Sequence, residues 1–385
     1  MLARIASDQL FRSLDNIEFG ALKLTTPDGQ TRMFSGRVPG EMAEIRLRDW
    51  NVVTNLFCKG DVGFAEDYRE GLWDSSDLTA LTTLGLKNRR ALDHVVTGNS
   101  FFSTIANLGY LLRINSISGS KKNIHAHYDL GNDFYSLWLD PTMTYSSALY
   151  KGDDDLMQAQ HRKYDRIIDR LNTPSGRVLE VGCGWGGFAE RALEKGDYDL
   201  KGITLSEEQH EFAKQRLGNN ARIVLEDYRH QEGKFNSIVS IEMFEAVGER
   251  YWPTYFGKLK EMMDQNGRAV IQTITMNEFD FPRYRRSSDF IRSFIFPGGM
   301  LPSQSRFAQE AERAGLKVTD KFTFGLDYAR TLESWLAAFD AKRDDVKALG
   351  YDDGFIRMWR FYLAACAAGF KTGRTDVMQV ELCHA

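Results

Sequence analysis

From about residue 160 onward, short apolar segments alternate with longer segments in which apolar residues recur at helical spacing. Short apolar runs such as RVLEVGCG at 177–184 and GRAVIQTIT at 267–275 are typical of buried strands. Segments with helical spacing follow such runs, for example GFAERALEKG at 187–196 and EEQHEFAKQRLG at 207–218. Strands that alternate with helices predict an α/β fold, with a mostly parallel sheet and helices on both faces.

The first 95 residues show a different pattern. After an amphipathic opening helix, two strand-like runs flank the turn signal Pro27-Asp28-Gly29, and residues 75–95 have helical character. This pattern predicts a small α+β domain at 1–95, then a connector at 96–124 and a catalytic domain at 125–385. The connector has two interpretations, a helix packed between domains or an element on a membrane surface, since it joins an apolar stretch to lysines.

Composition and charge exclude several classes of protein. Apolar residues make up 43% and charged residues 26% of the chain, as in soluble globular proteins. The net charge of -4 and the lack of a basic stripe argue against a nucleic-acid partner. The four cysteines have no metal-ligand spacing, so no metal is expected. No signal peptide and no apolar run of about 18 residues is evident, so we expect a cytoplasmic protein.

A glycine-rich loop follows the first strand of the α/β region. Gly182 and Gly184 let the backbone approach a ligand closely, and a helix begins near Phe188. The spacing differs from the GxGxxG pattern of dinucleotide-binding loops. With Glu180 before the first glycine, the sequence E-V-G-C-G resembles motif I of class I methyltransferases. In that motif the loop holds the amino-acid part of S-adenosylmethionine.

A longer series of segments narrows this resemblance to one family. From about residue 120 onward the chain resembles the cyclopropane-fatty-acyl-phospholipid synthases and the related mycolic acid methyltransferases. The matching segments, in chain order, are HYDLGNDF (127–134), YSS (145–147), LEVGCGWGG (179–187), TLSEEQ (204–209), MFEAVG (243–248), QTIT (272–275), FIFPGG (294–299), FGLDYARTLESW (324–335) and FYLAACAAGF (361–370).

The resemblance extends to the N-terminal residues and implies the substrate. Residues 1–95 look like the lipid-carrier-like domain of the phospholipid-acting synthases, which the mycolic acid enzymes lack. The implied fold is thus a class I methyltransferase Rossmann-like domain with this small domain added. The implied partner is an unsaturated phospholipid in the membrane. The resemblance also implies a homodimer that binds peripherally to the inner face of the membrane.

The resemblance also implies S-adenosylmethionine as cofactor and methyl donor. The residues that match its binding positions share one expected pocket at the carboxyl ends of the strands. They are Tyr145 and Ser146 near the methionine end, Gly182 and Gly184 beneath it, Thr204, Leu205 and Gln209 at the ribose, and Asp227 and Tyr228 at the adenine, together with Glu180 of the glycine-loop motif.

Five further positions match those that hold a bicarbonate ion in the family that the chain resembles. In that family the bicarbonate ion accepts the proton. Glu245, Tyr328 and the backbone of Ile274 agree with the family pattern. Ser147 stands at the cysteine position and Gln272 at the histidine position, and both can still form hydrogen bonds. The two replacements leave bicarbonate binding and the product open.

A cysteine, three phenylalanines and a second glutamate are also candidates for positions near the site. Cys366 matches a cysteine sometimes placed in the active site, although its small apolar helix also suits an inert buried thiol. Phe290, Phe294 and Phe296 are expected either to wall an acyl tunnel or to form a plain core stripe. Glu242, close to Glu245, has no match in the synthases and receives no role.

The predicted function is methyl transfer from S-adenosylmethionine to the cis double bond of an unsaturated phospholipid acyl chain. The reaction passes through a carbocation and gives a cyclopropane. The alternative is a methyl- or methylene-branched chain, because Ser147 and Gln272 depart from the family pattern. Two further alternatives are a methyltransferase of soluble small molecules and a non-catalytic lipid-binding protein.

Overall fold

The computed structural model describes residues 2–96, 130–171 and 173–385. The predicted connector, apart from its residue 96, lies outside these ranges, as do residues 127–129 of the HYDLGNDF segment. No helix within these ranges has the length and apolar character needed to cross a membrane.

The chain forms two compact units, each built from separate segments. The first comprises Met1–Leu112, Arg286–Pro297 and Leu332–Gly373. The second comprises Arg113–Arg285, Gly298–Thr331 and Arg374–Ala385. The structure thus groups two segments from the C-terminal half with the N-terminal residues. The boundaries drawn along the sequence at 95 and 125 stay a prediction.

The N-terminal part of the first unit contains a four-stranded sheet of order β2-β1-β3-β4. Strand β1 pairs antiparallel with β2 and parallel with β3. The elements are α1 (Leu2–Leu14), β1 (Phe19–Thr25), β2 (Thr31–Ser35), β3 (Val38–Leu47), α2 (Asn51–Lys59), α3 (Asp61–Arg69), β4 (Trp73–Asp74), α4 (Leu78–Lys87) and α5 (Arg89–Val96).

The local sequence signals of this sheet are confirmed with one correction. The turn signal joins β1 to β2, and Gly29 adopts the left-handed φ of 82° that such a turn favours. The helix predicted at 75–95 is two helices separated at Asn88. The side-chain oxygen of Asn88 accepts hydrogen bonds from the backbone N–H groups of Glu18 and Phe19, at 2.7 and 2.9 Å. An asparagine that satisfies the backbone of a strand explains the break.

The rest of the chain contains the α/β region and the C-terminal helices. The helices are α6 (Gly131–Ser136), α7 (Leu156–Arg170), α8 (Gly187–Lys195), α9 (Glu207–Leu217), α10 (Trp252–Met262), α11 (Phe281–Tyr284), α12 (Gln304–Arg313), α13 (Gly325–Ala341), α14 (Arg343–Ala348) and α15 (Asp353–Lys371). The strands are β5 (Ser175–Val181), β6 (Asp197–Thr204), β7 (Arg222–Leu225), β8 (Phe235–Ile241), β9 (Met263–Met276), β10 (Leu316–Thr323) and β11 (Thr375–His384). Short 3₁₀-helices lie at Tyr228–His230, Phe244–Ala246 and Glu249–Tyr251, and a π-helix at Ile291–Ile295.

The second unit is organised around a seven-stranded sheet of order β10-β11-β9-β8-β5-β6-β7. Strands β5 to β9 pair in parallel, as the alternation of strands and helices predicted. Strand β11 runs antiparallel to both β9 and β10. The sequence analysis did not identify β10 and β11. Side chains of β10 alternate between less and more exposed positions and include five charged or polar residues, which weakens its apolar signal.

An apolar core lies on each face of this sheet. Leu179 belongs to the cluster that contains Trp252, whereas its neighbour Val178 belongs to the cluster that contains Phe188. Successive residues of a strand point to opposite faces, so the two clusters cover the two sides of β5. The sheet is therefore covered on both faces, and the site lies at the carboxyl ends of its parallel strands.

Candidate active site

A pocket opens at the carboxyl ends of the parallel strands. Its lining includes Gly182 after β5, Leu205 after β6, Asp227 after β7 and Glu242 after β8. This is the edge at which open α/β sheets bind their ligands.

The predicted cofactor residues all lie around this pocket. The lining includes every one of them: Tyr145, Ser146, Glu180, Gly182, Gly184, Thr204, Leu205, Gln209, Asp227 and Tyr228. The structure therefore brings together residues that are up to 83 positions apart in the sequence. The assignment of each to one part of the cofactor stays a prediction.

The glycine loop turns the chain sharply from β5 into α8. Gly182 and Gly184 have φ values of 83° and 52°, in the left-handed region that favours glycine. A Cβ atom at Gly182 would lie 2.9 Å from the Met243 side chain. The backbone N–H groups of Gly182 and Cys183 both donate to the carbonyl of Ile203, which fixes the loop against β6.

Glu180 gives the pocket an unpaired buried carboxylate oxygen. The residue is only 2% exposed, and its Oε2 has no hydrogen-bond partner among residues 2–96, 130–171 and 173–385. Burial raises the pKa of Glu180 well above its usual value. An unpaired buried acceptor of this kind fits S-adenosylmethionine, which carries hydrogen-bond donors and positive charge, and Glu180 is one of the residues predicted to bind it.

The ends of β6 and β7 carry the residues predicted for the nucleoside. Thr204 donates from Oγ1 to Oε1 of Gln209 at 2.9 Å. Both carboxylate oxygens of Asp227 accept from the Arg229 side chain, at 2.8 and 2.6 Å. Burial alone would raise the pKa of Asp227, but the hydrogen bonds from Arg229 outweigh burial and hold this pKa below its usual range. Burial raises the pKa of Tyr228 to about 12, so its hydroxyl stays protonated.

Glu242, to which the sequence analysis gave no role, accepts hydrogen bonds from several of the predicted site residues. Its Oε1 accepts hydrogen bonds from the backbone N–H of Ser147 at 2.9 Å and from Nε2 of Gln272 at 2.7 Å. Its Oε2 accepts from the Tyr328 hydroxyl at 2.6 Å. Three of the positions predicted to hold bicarbonate therefore converge on this one side chain. Ser147 takes part through its backbone, since its own hydroxyl donates to the carbonyl of Ala148 at 3.0 Å.

Bicarbonate does not fit this arrangement. The donors of Ser147, Gln272 and Tyr328 that would hold the ion are already bonded to the Glu242 carboxylate. A second anion at the same donors would also be repelled by that carboxylate. A signal for Glu242 was present in its position, because it directly follows β8 at the ligand-binding edge of the sheet.

Glu245 and Ile274, the remaining two predicted positions, bond to each other. Glu245 Oε1 accepts from the backbone N–H of Ile274 at 2.5 Å and from the Thr273 hydroxyl at 3.0 Å. Burial, together with the negative charge of Glu242, raises the pKa of Glu245 to about 8. Among the described residues, those lining the pocket do not include Glu245.

A chain of amide side chains fixes the orientation of Gln272. Nε2 of Gln379 donates to Oε1 of Gln272 at 3.0 Å, and Arg166 donates to Oε1 of Gln379 at 2.8 Å. The two glutamines are register partners on β11 and β9. This contact turns the Nε2 of Gln272 toward Glu242. Gln379 was missed because β11 was missed, although a glutamine within the apolar run VMQV is an unusual polar position.

Lys163 is a second ionisable residue that the sequence analysis missed. Helix α7 places it next to the pocket, where Nζ donates to Oγ of Ser146 at 2.6 Å. Its side chain is fully buried, and burial lowers its pKa to about 7 in spite of the attraction of Glu242. A lysine on the apolar face of an amphipathic helix was the available signal.

Cys366 lies on α15 and is absent from the described lining of the pocket. Burial raises the pKa of its thiol, so the thiol stays protonated. The residue keeps partial solvent exposure, and a protonated thiol is a poor nucleophile, so the role of Cys366 stays a prediction.

The three phenylalanines predicted near an acyl tunnel have different surroundings. Phe290 packs on Phe361 with ring centroids 4.9 Å apart, and Phe296 packs on Tyr362 at 5.9 Å. Phe294 is 38% exposed. The packing of Phe290 and Phe296 agrees with a core stripe, and the tunnel stays a prediction.

Comparison with known proteins identifies the family. Residues 116–380 match the family described as mycolic acid cyclopropane synthetase. The chain belongs to this family. The predicted family and the class I methyltransferase fold are therefore confirmed, and the chain is an S-adenosylmethionine-dependent methyltransferase of the cyclopropane synthase family.

Two curated relatives match most of the chain. Tuberculostearic acid methyltransferase UfaA1 of Mycobacterium tuberculosis is 37% identical over 348 residues, which cover 84% of this chain and 79% of the relative. Cyclopropane-fatty-acyl-phospholipid synthase of Escherichia coli K12 is 34% identical over 347 residues, 88% of this chain and 87% of the relative. Among solved structures, mycolic acid cyclopropane synthase CmaA1 complexed with SAH and CTAB is 33% identical with a TM-score of 0.64, over 68% of this chain and 97% of CmaA1.

Proposed function

We propose that the chain transfers the methyl group of S-adenosylmethionine to the cis double bond of an unsaturated phospholipid acyl chain. The observation that carries the proposal is the hydrogen-bonded Glu242 carboxylate in the same pocket as the ten predicted cofactor residues. S-adenosylmethionine, when bound, supplies an electrophilic methyl group. An alkene has only its π electrons as nucleophile, so the residues of the chain must align the reactants and accept a proton afterwards.

An aromatic wall next to the pocket supports chemistry that passes through a cation. Tyr145 lines the pocket, and its ring lies 5.4 Å from that of Tyr135 and 5.6 Å from that of Trp138. Aromatic rings stabilise a nearby positive charge and exclude water that would otherwise add to a carbocation.

The length of the match supports a phospholipid rather than a mycolic acid as substrate. Cyclopropane mycolic acid synthase 3 of M. tuberculosis matches only 68% of this chain while covering 96% of its own length. The phospholipid synthase of E. coli matches 88% of this chain, so the relationship extends further toward the N-terminal unit.

For the product we propose the branched alternative, a methylene- or methyl-branched chain that keeps a double bond. The residues that depart from the family pattern, Ser147 and Gln272, both bond to Glu242, so the proton acceptor differs from the one that the resemblance implies. The 37% identical relative from M. tuberculosis has a methyltransferase name rather than a cyclopropane synthase name. The cyclopropane expected from the sequence is the second candidate, supported by the E. coli relative.

Both the proposed methyl transfer and the proposed product can be tested in cells that express the chain. Their fatty acids are analysed by gas chromatography with mass spectrometry. We expect a new acyl species heavier than an unsaturated parent by one CH₂ group. Mild hydrogenation saturates a branched alkene and leaves a cyclopropane intact, so it separates the two products. Cells that express Gly182→Val are the matched control, since this substitution puts a side chain against Met243 inside the pocket.

Binding of S-adenosylmethionine without any new acyl species would contradict the proposal. Co-sedimentation with phospholipid vesicles then addresses the substrate class, because an enzyme of soluble small molecules stays in the supernatant. A chain that binds vesicles but not S-adenosylmethionine would favour the non-catalytic lipid-binding protein.

A further inference from the structure

We propose that Glu242 is the base that removes the proton from the methylated acyl chain, in the place that the family resemblance gives to a bicarbonate ion. This inference rests on the proposed function and deepens it. The chain would then carry its proton acceptor as a side chain and need no bound ion for the reaction.

The first support is the set of donors around the carboxylate. One oxygen of Glu242 accepts from Ser147 and Gln272, and the other accepts from Tyr328. A carboxylate and a bicarbonate ion both present two oxygens that share one negative charge. The donors that would orient the ion therefore orient the side chain instead, with the carboxylate held in the lining of the pocket.

The second support is the backbone of Glu242. Its φ of 51° lies in the left-handed region, which is strained for a residue with a side chain. Its N–H donates to the carbonyl of Gln272 at 2.8 Å, which holds this conformation. Glycine would adopt it without strain, so the strain is a consequence of placing a carboxylate at this position.

The third support is that the neighbouring donors keep their own protons. Burial raises the pKa of Tyr328 well above its usual value, so its hydroxyl remains a donor. Gln272 is neutral at any pH. Burial also raises the pKa of Glu242, and this makes its carboxylate a better proton acceptor than an exposed one. Glu245 is a weaker candidate, because it lies outside the described lining of the pocket.

The reaction balances with this base alone. The π electrons of the alkene form the new carbon–carbon bond to the methyl group, and the carbon–sulfur bond breaks with its electrons going to sulfur. The other alkene carbon becomes a cation. The Glu242 carboxylate then takes a proton from a chain carbon next to the cation, and the released C–H electrons form the double bond of a methyl-branched product. A methylene branch forms when the hydride of the methylated carbon first shifts to the cationic carbon and the proton then leaves the new methyl group. Without that shift, the outcome at the methyl group is different. Removal of a proton from the new methyl group would close a cyclopropane instead.

The test uses the purified full chain and the variants Glu242→Gln and Glu242→Gly, with Glu333→Gln as the control. The Glu333 side chain is 41% exposed and pairs with Lys371, and Glu333 is not among the described residues that line the pocket. Calorimetry first measures S-adenosylhomocysteine affinity and then titrates sodium bicarbonate into each protein with S-adenosylhomocysteine present. Turnover is measured on vesicles of an unsaturated phospholipid, in buffer purged of carbon dioxide and again with bicarbonate added.

We expect the parent chain to bind no bicarbonate and to turn over equally with and without it. Glu242→Gln should lose turnover by about 100-fold or more and keep its affinity for S-adenosylhomocysteine, since general base catalysis contributes about 10²–10⁴-fold. Glu242→Gly should bind bicarbonate in the vacated space and regain part of its turnover when the ion is added.

Three results would overturn the inference: bicarbonate binding by the parent chain, turnover of Glu242→Gln close to that of the parent, or a matching loss of S-adenosylhomocysteine affinity. Failure of the proposed function has a different signature. In that case the parent chain methylates no acyl chain, while the bicarbonate titrations still decide whether Glu242 occupies the place of the ion.

Discussion

Gln379 on β11 donates a hydrogen bond from Nε2 to Oε1 of Gln272 on β9, at 3.0 Å. Both side chains are fully buried, and Gln272 in turn donates to Glu242. The orientation of a buried amide has few alternatives once one of its atoms has a fixed partner. A residue outside the pocket lining therefore positions the donor that contacts the proposed base.

We predict that Gln379→Leu lowers turnover while leaving S-adenosylhomocysteine affinity unchanged, because Gln272 loses the partner that orients it. An unsatisfied buried polar group costs about 1–3 kcal/mol, so the melting temperature should also fall. A purely structural role would reduce stability alone, without a fall in kcat at temperatures where the variant is folded. Gln215→Leu is the control, since Gln215 is an exposed residue of α9.

The sequence was sufficient for the fold of the α/β region and for most of the cofactor pocket. Gly182 directly follows β5 and Thr204 is the last residue of β6, and strand order then brings the two strand ends to one edge of the sheet. Strands β10 and β11 could not be predicted in this way. They pair antiparallel at the end of the sheet, and that pairing depends on contacts far apart in the chain rather than on the strand–helix alternation.

The environment of the proposed base was beyond the sequence for a similar reason. Ser147, Gln272 and Tyr328 were each found by resemblance, but the resemblance placed them around an ion. Only the structure shows that the carboxylate of Glu242 occupies their donors. These three residues lie 30, 86 and 95 positions from Glu242, so their convergence produces no local pattern in the sequence.

Lys163 should make the stability of the protein depend on pH in the alkaline range. Burial lowers its pKa from 10.5 to about 7, so between these values the unfolded chain binds a proton that the folded chain does not. Stability then rises with pH across this window. Lys163→Met removes the titration, although it also removes the hydrogen bond to Ser146. The difference in melting temperature between parent and variant should therefore shift in favour of the parent between pH 7 and pH 10.5.

Differential scanning fluorimetry at both ends of that range measures this difference. Lys214→Met serves as the control, because the Lys214 side chain is 52% exposed. A parent-minus-variant difference that stays constant with pH would show that Lys163 keeps an ordinary pKa in the folded protein.

Glu245 should have the opposite effect at lower pH. Burial and the charge of Glu242 raise its pKa from 4.5 to about 8, so the folded chain holds a proton that the unfolded chain releases. The stability that this proton contributes is complete below pH 4.5 and is lost as the pH rises through about 8. Glu245→Gln has no proton to lose at this position, so its melting temperature should rise relative to that of the parent between pH 4.5 and about 8. Equal pH profiles for the two proteins would contradict the raised pKa.

Gly182 should be the most restrictive position of the loop beneath the cofactor. Gly182→Ala combines a φ of 83° with a Cβ only 2.9 Å from the Met243 side chain, and Met243 itself lines the pocket. Gly218→Ala has comparable backbone strain, with a φ of 56°, but its Cβ meets nothing within 4 Å, and the residue is outside the described pocket lining.

Strain alone costs each variant about 1 kcal/mol. Calorimetry with S-adenosylhomocysteine should therefore show a loss of affinity of at least about tenfold for Gly182→Ala, which corresponds to roughly 1.4 kcal/mol, and parent-like affinity for Gly218→Ala. Equal affinities for the two variants would mean that the loop between β5 and α8 does not lie against the cofactor.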